Sequence, residues 1–455
     1  MKTSGTTPDD PTRVRNVVFP GWDDGVEIAE LRAARDWLKS FVRDDWNIRV
    51  KKIRMELARL AADPKSTSTF SFRDDSANWY LYLTETYVER PQETEPHQCA
   101  RILPVVQALG RNIERLRLVA GVDRRLDRLF ADPHASADAV LFELLVAACY
   151  ARAGAKVEML SEASTAKTPD LAVTDQASTF FVECKRLAPR SQRDIQESQK
   201  WVQLWRPLRE ELVRRRLAVV LAVDFRADLL TLPEDFLVAR MARFLPLLTR
   251  PGTIIDDPDL SVGIRFVNIE MLRHTFAEER YIKCGSAAEQ ELIAGVYLPA
   301  LGWSSAIVGQ TGSFGASENP LNSYWNSVEF ASGAYWTCSH ERSVSVKARD
   351  VRKRLSEATA QLPAGSPGVI HIGVECLDTP STQDIRLSRI DETMAKFDFG
   401  TKDVRAVFCH FLQPSLPPDK NWDFIETVVP FRRHPDWPRN SMLTTVPADA
   451  PKDHG

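Results

Sequence analysis

KTPDLAVT (residues 167–174) and TFFVECKR (residues 179–186) decide how this chain folds, because they read as two strands joined by a turn. Both are rich in Val, Phe and Thr, and Asp175, Gln176, Ala177 and Ser178 between them are turn-forming residues. A loop of that length closes an antiparallel hairpin. Pairing Thr174 with Thr179 sets Asp170 opposite Glu183, with Lys185 further along the same face and Cys184 on the other. Opposed carboxylates about 5 Å apart repel, so the pair costs stability unless something positive lies between them.

A divalent cation would meet that need. Mg²⁺ takes oxygen ligands at about 2.1 Å, keeps several waters, and uses one or two protein carboxylates with phosphate oxygens. Bound to Asp170 and Glu183, it would polarise a phosphodiester, orient a water and stabilise the leaving oxygen. Lys185 would then position or deprotonate the attacking water, or neutralise charge on the transition state. The sequence leaves those roles open. A third acid lies upstream: residues 137–154 (ADAVLFELLVAACYARAG) predict a helix ending at a Gly cap. Glu143 shares its stripe with Ala139, Val140, Val146, Ala147 and Tyr150. A carboxylate aimed into a packed face needs a metal or a basic partner.

The order of a Glu-bearing helix, a short strand at residues 155–160, the Pro169-Asp170 strand, the Glu183-Cys184-Lys185 strand, a long helix and an apolar strand resembles the PD-(D/E)xK nuclease superfamily. The resemblance covers residues 137 to about 225. It implies an α/β (α+β) fold with a restriction-endonuclease-like αβββαβ core. It further implies that Asp170 and Glu183 bind Mg²⁺, with Mn²⁺ as a substitute, that Lys185 is the catalytic lysine, and that Glu143 supports the metal or its water. Some members carry a glutamine on the helix after the lysine; Gln196, Gln199 and Gln203 are the candidates, with Gln199 preferred. The implied activity is metal-dependent hydrolysis of DNA, as an endonuclease, in defence against foreign DNA, repair or recombination. A homodimer is compatible with it. An RNA-directed nuclease and a non-catalytic scaffold on the same fold are the alternatives.

Fragments of the motif also arise by chance. Val374-Glu375-Cys376 is followed by Leu377, and Pro258-Asp259-Leu260 precedes Glu270-Met271-Leu272 without a lysine, so neither can run the same chemistry. The competing reading of the full set is ordinary: Asp170 closes a turn, Glu183 pairs with Lys185 or an arginine, and Glu143 caps a buried hydrogen bond.

Composition sets the surroundings. The chain has 455 residues, 44% hydrophobic and 27% charged, which is room for two or three globular domains. Residues 1–16 lack the apolar run of a signal peptide, and apolar runs such as 217–223 are too short to span a bilayer, so a cytoplasmic, bacterial protein without a membrane partner is expected. The 7 cysteines are widely spaced without a Cys-x-x-Cys pair, which predicts free thiols. Cys338 with His340 and Cys409 with His410 lack the rest of a zinc set. The net charge of −3 gives no global basic footprint for nucleic acid. Arginines crowd residues 111–128 and 206–216, either as solvated helix faces or as a surface for phosphates.

Four regions are expected. Residues 1–133 form a helical arm, with breaks at Asp63-Pro64 and Arg90-Pro91 and a polar loop at 65–71; residues 134–225 form the nuclease-like core. Residues 226–425 are a C-terminal α/β extension of unknown role, and 426–455 a Pro-rich tail, extended or disordered. Within the extension, residues 347–362 and 385–397 predict helices, and 368–374 and 404–412 strands. Residues 191–224 are preferred as the last helix and strand of the core over 347–374, because the nearer pair needs no long excursion. No phosphate loop accompanies the Gly/Ser-rich residues 309–317.

Overall fold

The computed structural model of the chain describes residues 25–62, 75–161, 168–175, 178–277, 282–315, 317, 319–348, 350–418, 422–432, 434 and 442–444. Two mixed sheets, each with helices packed on it, make it an α/β structure.

The N-terminal arm is helical, as its apolar spacing predicts: α1 (Gly25–Lys39), α2 (Trp46–Ala62), α3 (Ser76–Glu89), α4 (Pro96–Arg111), the single turn α5 (Ile113–Leu116) and α6 (Val122–Ala131). Helix α3 is buried on nearly all sides, with Trp79, Tyr82 and Leu83 in the core, so α1, α2 and α4 wrap around it. The break at Pro91 starts a short 3₁₀ turn; the expected break at Asp63-Pro64 and the loop at 65–71 lie outside the described residues.

Next come α7 (Ala137–Arg152), β1 (Lys156–Met159), β2 (Leu171–Thr174) and β3 (Thr179–Arg186). Ser136 caps α7, its hydroxyl accepting from the Ala139 amide at 3.3 Å. β2 and β3 pair antiparallel from Thr174 opposite Thr179 to Leu171 opposite Val182, the register that the hairpin reading requires. The two threonine hydroxyls bond at 2.9 Å, and the Asp175 carboxylate accepts from the Ser178 amide at 2.8 Å to close the turn. Lys167, Gln176 and Ala177 lie outside the described residues.

After β3 the expectation of a nearby finish to the core is corrected. The capped helix α8 (Gln192–Arg215) and the strand β4 (Val219–Phe225) leave the first sheet and found a second one. The chain runs on through α9 (Phe236–Met241), β5 (Gly252–Asp256), β6 (Leu260–Phe266), α10 (Ile269–Ala277), β7 (Ile282–Lys283), α11 (Ala287–Ala294), β8 (Gly302–Gly312) and β9 (Tyr324–Cys338). The second sheet has the order β5-β6-β4-β9-β7, with β8 paired to β9. Trp201 of α8 stacks on Trp205 and on Trp336 of β9, which fixes the helix against that sheet.

The chain then returns through α12 (Glu341–Lys347) and α13 (Arg352–Gln361) to β10 (Gly368–Glu375), α14 (Pro380–Lys396), β11 (Val404–Ser415) and β12 (Asp423–Arg432). The first sheet has the order β1-β2-β3-β10-β11-β12, and β10 lies parallel to β3, with Ile370 opposite Glu183 and Ile372 opposite Lys185. Both candidate strands are apolar, but they are buried differently. Every position of β10 is buried, as a central parallel strand demands, whereas Ala222 of β4 is exposed. A parallel neighbour needs a crossover helix, and α13 supplies it, its Leu355 and Ala358, with Leu362 just after it, packing with Ile370 and Ile372. Gly368 lets Leu362 close down, since a Cβ there would meet the leucine side chain at 2.6 Å.

A buried hydrogen-bonded chain ties this sheet to α7 and to the last described segment. Tyr150 Oη lies 2.9 Å from His371 Nε2, His371 Nδ1 2.9 Å from His410 Nε2, and His410 Nδ1 2.9 Å from Glu426 Oε1. The Glu426 carboxylate also accepts from the Leu443 and Thr444 amides and the Thr444 hydroxyl. With every group in the chain satisfied, it holds four elements together at little desolvation cost. Residues 423–432, expected partly in the tail, are thus an edge strand of the first sheet.

Candidate functional site

The ladder that pairs Leu171 with Val182 brings Asp170 beside Glu183 one step further on. Asp170 Oδ2 accepts from the Cys184 backbone amide at 2.8 Å, which pins the aspartate across the hairpin. Glu183 is fully buried, Asp170 is 9% exposed and Glu143 on α7 is 8% exposed. Cys184 points to the opposite face and joins the core under α7, its thiol pushed well up by burial and by the neighbouring carboxylates of Asp170, Glu143 and Glu183.

Burial, then the charges of Asp170 and Glu143, push the Glu183 carboxyl up to about 9, against a counteracting pull from Lys185. Its Oε1 accepts from Lys185 Nζ at 2.5 Å, while Oε2 is buried without a hydrogen-bond partner among the described residues. Such an oxygen costs free energy in the folded state, and a buried, charge-coupled carboxyl of this kind makes the cluster a candidate functional site.

The structure adds two side chains to the expected set. Arg125 of α6 lies with Nε 3.2 Å from Glu143 Oε2 and Nη2 3.7 Å from Asp170 Oδ1. Gln361, the last residue of α13, accepts from Lys185 Nζ at 2.7 Å through Oε1 and donates to the Thr168 carbonyl at 3.2 Å through Nε2. The preferred glutamine, Gln199, is exposed on α8, as are Gln196 and Gln203, and that helix packs on the second sheet. Gln361 holds the position by the lysine because α13, not α8, is the crossover helix. A signal for Arg125 was present: it lies three residues after Val122 and four before Leu129, on the buried stripe of α6.

Local backbone fixes the arginine's origin. Gly121 begins α6 at φ 87°, and a Cβ there would meet the Met159 carbonyl at 2.4 Å. Glycine therefore lets Ala120 bridge to β1, where the Met159 amide donates to the Ala120 carbonyl at 2.7 Å.

Among the described residues no group of three or more His, Cys, Asp or Glu is arranged to hold a metal ion. The donor chemistry nonetheless suits a hard cation at two carboxylates, since Glu183 Oε2 is buried and accepts no hydrogen bond from the described residues, and Asp170 is the charge that most raises the Glu183 carboxyl. The motif fragments stay apart from this cluster. Glu375 pairs with Arg101 and Arg186, and Cys376 directly follows β10. Several of the clustered arginines are spent locally: Arg111 on Glu30, Arg117 on Glu114, Arg214 and Arg215 on Glu211. The cysteines are free thiols.

No family model matches the chain, and neither a curated protein nor a solved structure matches it. No described helix is long and apolar enough to cross a membrane.

Proposed function

We propose that the chain is a Mg²⁺-dependent nuclease built on a restriction-endonuclease-like core, hydrolysing phosphodiester bonds of DNA as an endonuclease. The observation that carries the reading is the convergence of Asp170, Glu183 and Lys185 in one hairpin register, with Glu143 beside them and a buried oxygen of Glu183 that has no hydrogen-bond partner among the described residues. The element order α7-β1-β2-β3-α13-β10, interrupted by the second sheet, supports the αβββαβ assignment.

Asp170 and Glu183 are the carboxylates that would hold the cation, with Glu143 supporting them. When bound there, Mg²⁺ supplies Lewis-acid polarisation of the phosphate and charge for the leaving oxygen. Lys185 is held between Glu183 and Gln361, so its ammonium has a fixed position from which to donate to a phosphate oxygen or the attacking water. Asp170, braced by the Cys184 amide, keeps its carboxylate on the same side of the hairpin. Arg124 on α6 and Arg352 and Lys353 on α13 are exposed on the two helices that supply Arg125 and Gln361, which favours a phosphate backbone as the substrate.

The test is incubation of supercoiled plasmid, linear duplex, single-stranded DNA and RNA with the protein in Mg²⁺ or Mn²⁺ and in EDTA. The proposal expects metal-dependent cutting of DNA, including closed circles. Cutting of RNA alone would move the substrate to RNA, and cutting of nothing would leave a scaffold.

A further inference from the structure

Helix α13 carries Gln361 to Lys185, and its sequence RKRLSEATAQ (352–361) divides by face. Leu355, Ala358 and Thr359 are buried, while Arg352, Lys353, Ser356 and Ala360 are exposed. Steps of four make two lines along the solvent side: Arg352, Ser356 and Ala360 in one, and Lys353, Glu357 and Gln361 in the other. The second line ends on the lysine of the site, because Gln361 Oε1 accepts from Lys185 Nζ at 2.7 Å. At about 1.5 Å per residue, Lys353 stands about 12 Å along the helix from Gln361. That is the rise of about three to four nucleotides on one strand of a duplex.

The basic end of this face has its charges available. The acids near it are engaged: Glu357 accepts from Arg354 Nη1 at 2.7 Å, and Asp350, ahead of the helix, accepts from the Thr393 hydroxyl at 2.7 Å. The Glu357 carboxyl is held below its ordinary range chiefly by Arg354, with Lys353 and Lys185 pulling the same way, so both ammoniums lie within electrostatic reach of it. Among the described residues Arg352 and Lys353 form no ion pair, unlike Arg111, Arg117, Arg214 and Arg215. A chain of net charge −3 has no general attraction for a polyanion, so local unpaired cations of this kind must supply it.

We propose that the exposed face of α13 is the track along which a DNA strand reaches Lys185: Arg352 and Lys353 bind two adjacent backbone phosphates, beginning about three to four nucleotides from the scissile one. Ser356 and Ala360, between these points, have side chains short enough for the backbone to lie against the helix. The track rests on the nuclease reading above, and its binding step needs no metal. Phosphate contacts fix register rather than sequence, so these residues set where the strand enters and not which bases are cut.

The experiment follows binding of a fluorescein-labelled DNA duplex to the full chain by anisotropy, in EDTA, over a series of KCl concentrations. It compares wild type with Arg352→Ala/Lys353→Ala, with Ser356→Glu, and with Lys51→Ala/Lys52→Ala, which removes two exposed charges from α2 as a matched control. Each phosphate contact contributes about 0.9 to the slope of log affinity against log salt, so the α13 double variant should show a slope shallower by about 2. It should also bind at least tenfold more weakly at low salt, with Ser356→Glu weakened in the same direction and the α2 variant matching wild type. In Mg²⁺ the double variant should raise KM severalfold and leave kcat unchanged, as loss of a contact made equally in ground and transition states requires. A duplex bound by wild type and the double variant with equal affinity and slope overturns the track, as does an equal loss in the α2 variant; metal-dependent cutting by wild type would then leave the nuclease reading standing. If circular dichroism shows the double variant unfolded, Ser356→Glu binding as tightly as wild type overturns the track alone. A wild type that neither binds nor cuts DNA removes the nuclease reading, and the track with it.

Discussion

Lys185 and Gln361, 176 positions apart in sequence, meet through a 2.7 Å hydrogen bond from Nζ to Oε1. The second sheet lies between the two residues in sequence, and the bond gives the lysine a second partner beside Glu183. Removing it by Gln361→Ala frees the ammonium, and a hydrogen bond to a charged group is worth about 1.5 kcal/mol or more, roughly tenfold in rate. We expect Gln361→Ala to slow DNA cleavage about tenfold, and Gln199→Ala to leave it unchanged. Equal effects of the two in initial-rate measurements would reject the role given to Gln361.

Glu183→Gln should stabilise the metal-free protein while ending cleavage. The folded carboxyl is raised to about 9 from an ordinary 4.5, so its contribution is fully present below 4.5 and is lost as pH rises toward 9. Above neutrality the folded state carries that penalty, on the order of 2 kcal/mol, and glutamine, which still offers an oxygen to Lys185, escapes it. Thermal melts in EDTA at pH 8 should place the variant roughly 2 °C above wild type, with the gap closing toward pH 4.5. A variant that melts below wild type at pH 8 contradicts the burial argument.

The hairpin was legible because everything it needs is local. The turn residues, the alternation along 171–174 and 179–186, and the polar positions of Asp170, Glu183 and Lys185 agree on one register. The partner of β3 was not. VVLAVDF (219–225) and GVIHIGVE (368–375) both read as apolar strands, and what separates them is burial on both faces and the crossover by α13, which no local pattern records. The same preference for the nearer helix puts the candidate glutamines on α8, whereas the glutamine that contacts Lys185 is Gln361 at the end of α13. The arginine was readable as a charge on the buried stripe of α6, yet among many arginines it did not stand out.

The chain from Tyr150 to Glu426 predicts acid sensitivity. His371 is held well below its ordinary 6.5 by burial and by the adjacent His410 ring, so it resists protonation in the fold. A depressed value makes its stabilising effect complete above 6.5 and lost as pH falls below that, at up to about 1.4 kcal/mol per pH unit for one proton. Glu426, held below 4.5 chiefly by hydrogen bonds from His410 against the opposing effect of burial, adds a second loss at lower pH. Urea midpoints for wild type should fall from pH 7 to pH 5, and His371→Gln should flatten that slope. A slope unchanged by the substitution would place the acid response elsewhere.

Leu443 anchors the last described segment, at 1% exposure in the main core, with its amide on Glu426. Leu443→Ala should cost about 2–4 kcal/mol, as expected for a fully buried leucine. A loss under about 0.5 kcal/mol in denaturant titration would show that the segment is not held in solution.

The measurement that tests the central claim most directly is nicking of supercoiled plasmid in Mg²⁺ by wild type and by Lys185→Ala, with matched circular dichroism spectra to show that both are folded. The account predicts metal-dependent nicking by wild type and its loss, by at least a hundredfold, in the variant. Equal nicking by the two proteins, or none by wild type in either Mg²⁺ or Mn²⁺, would contradict it.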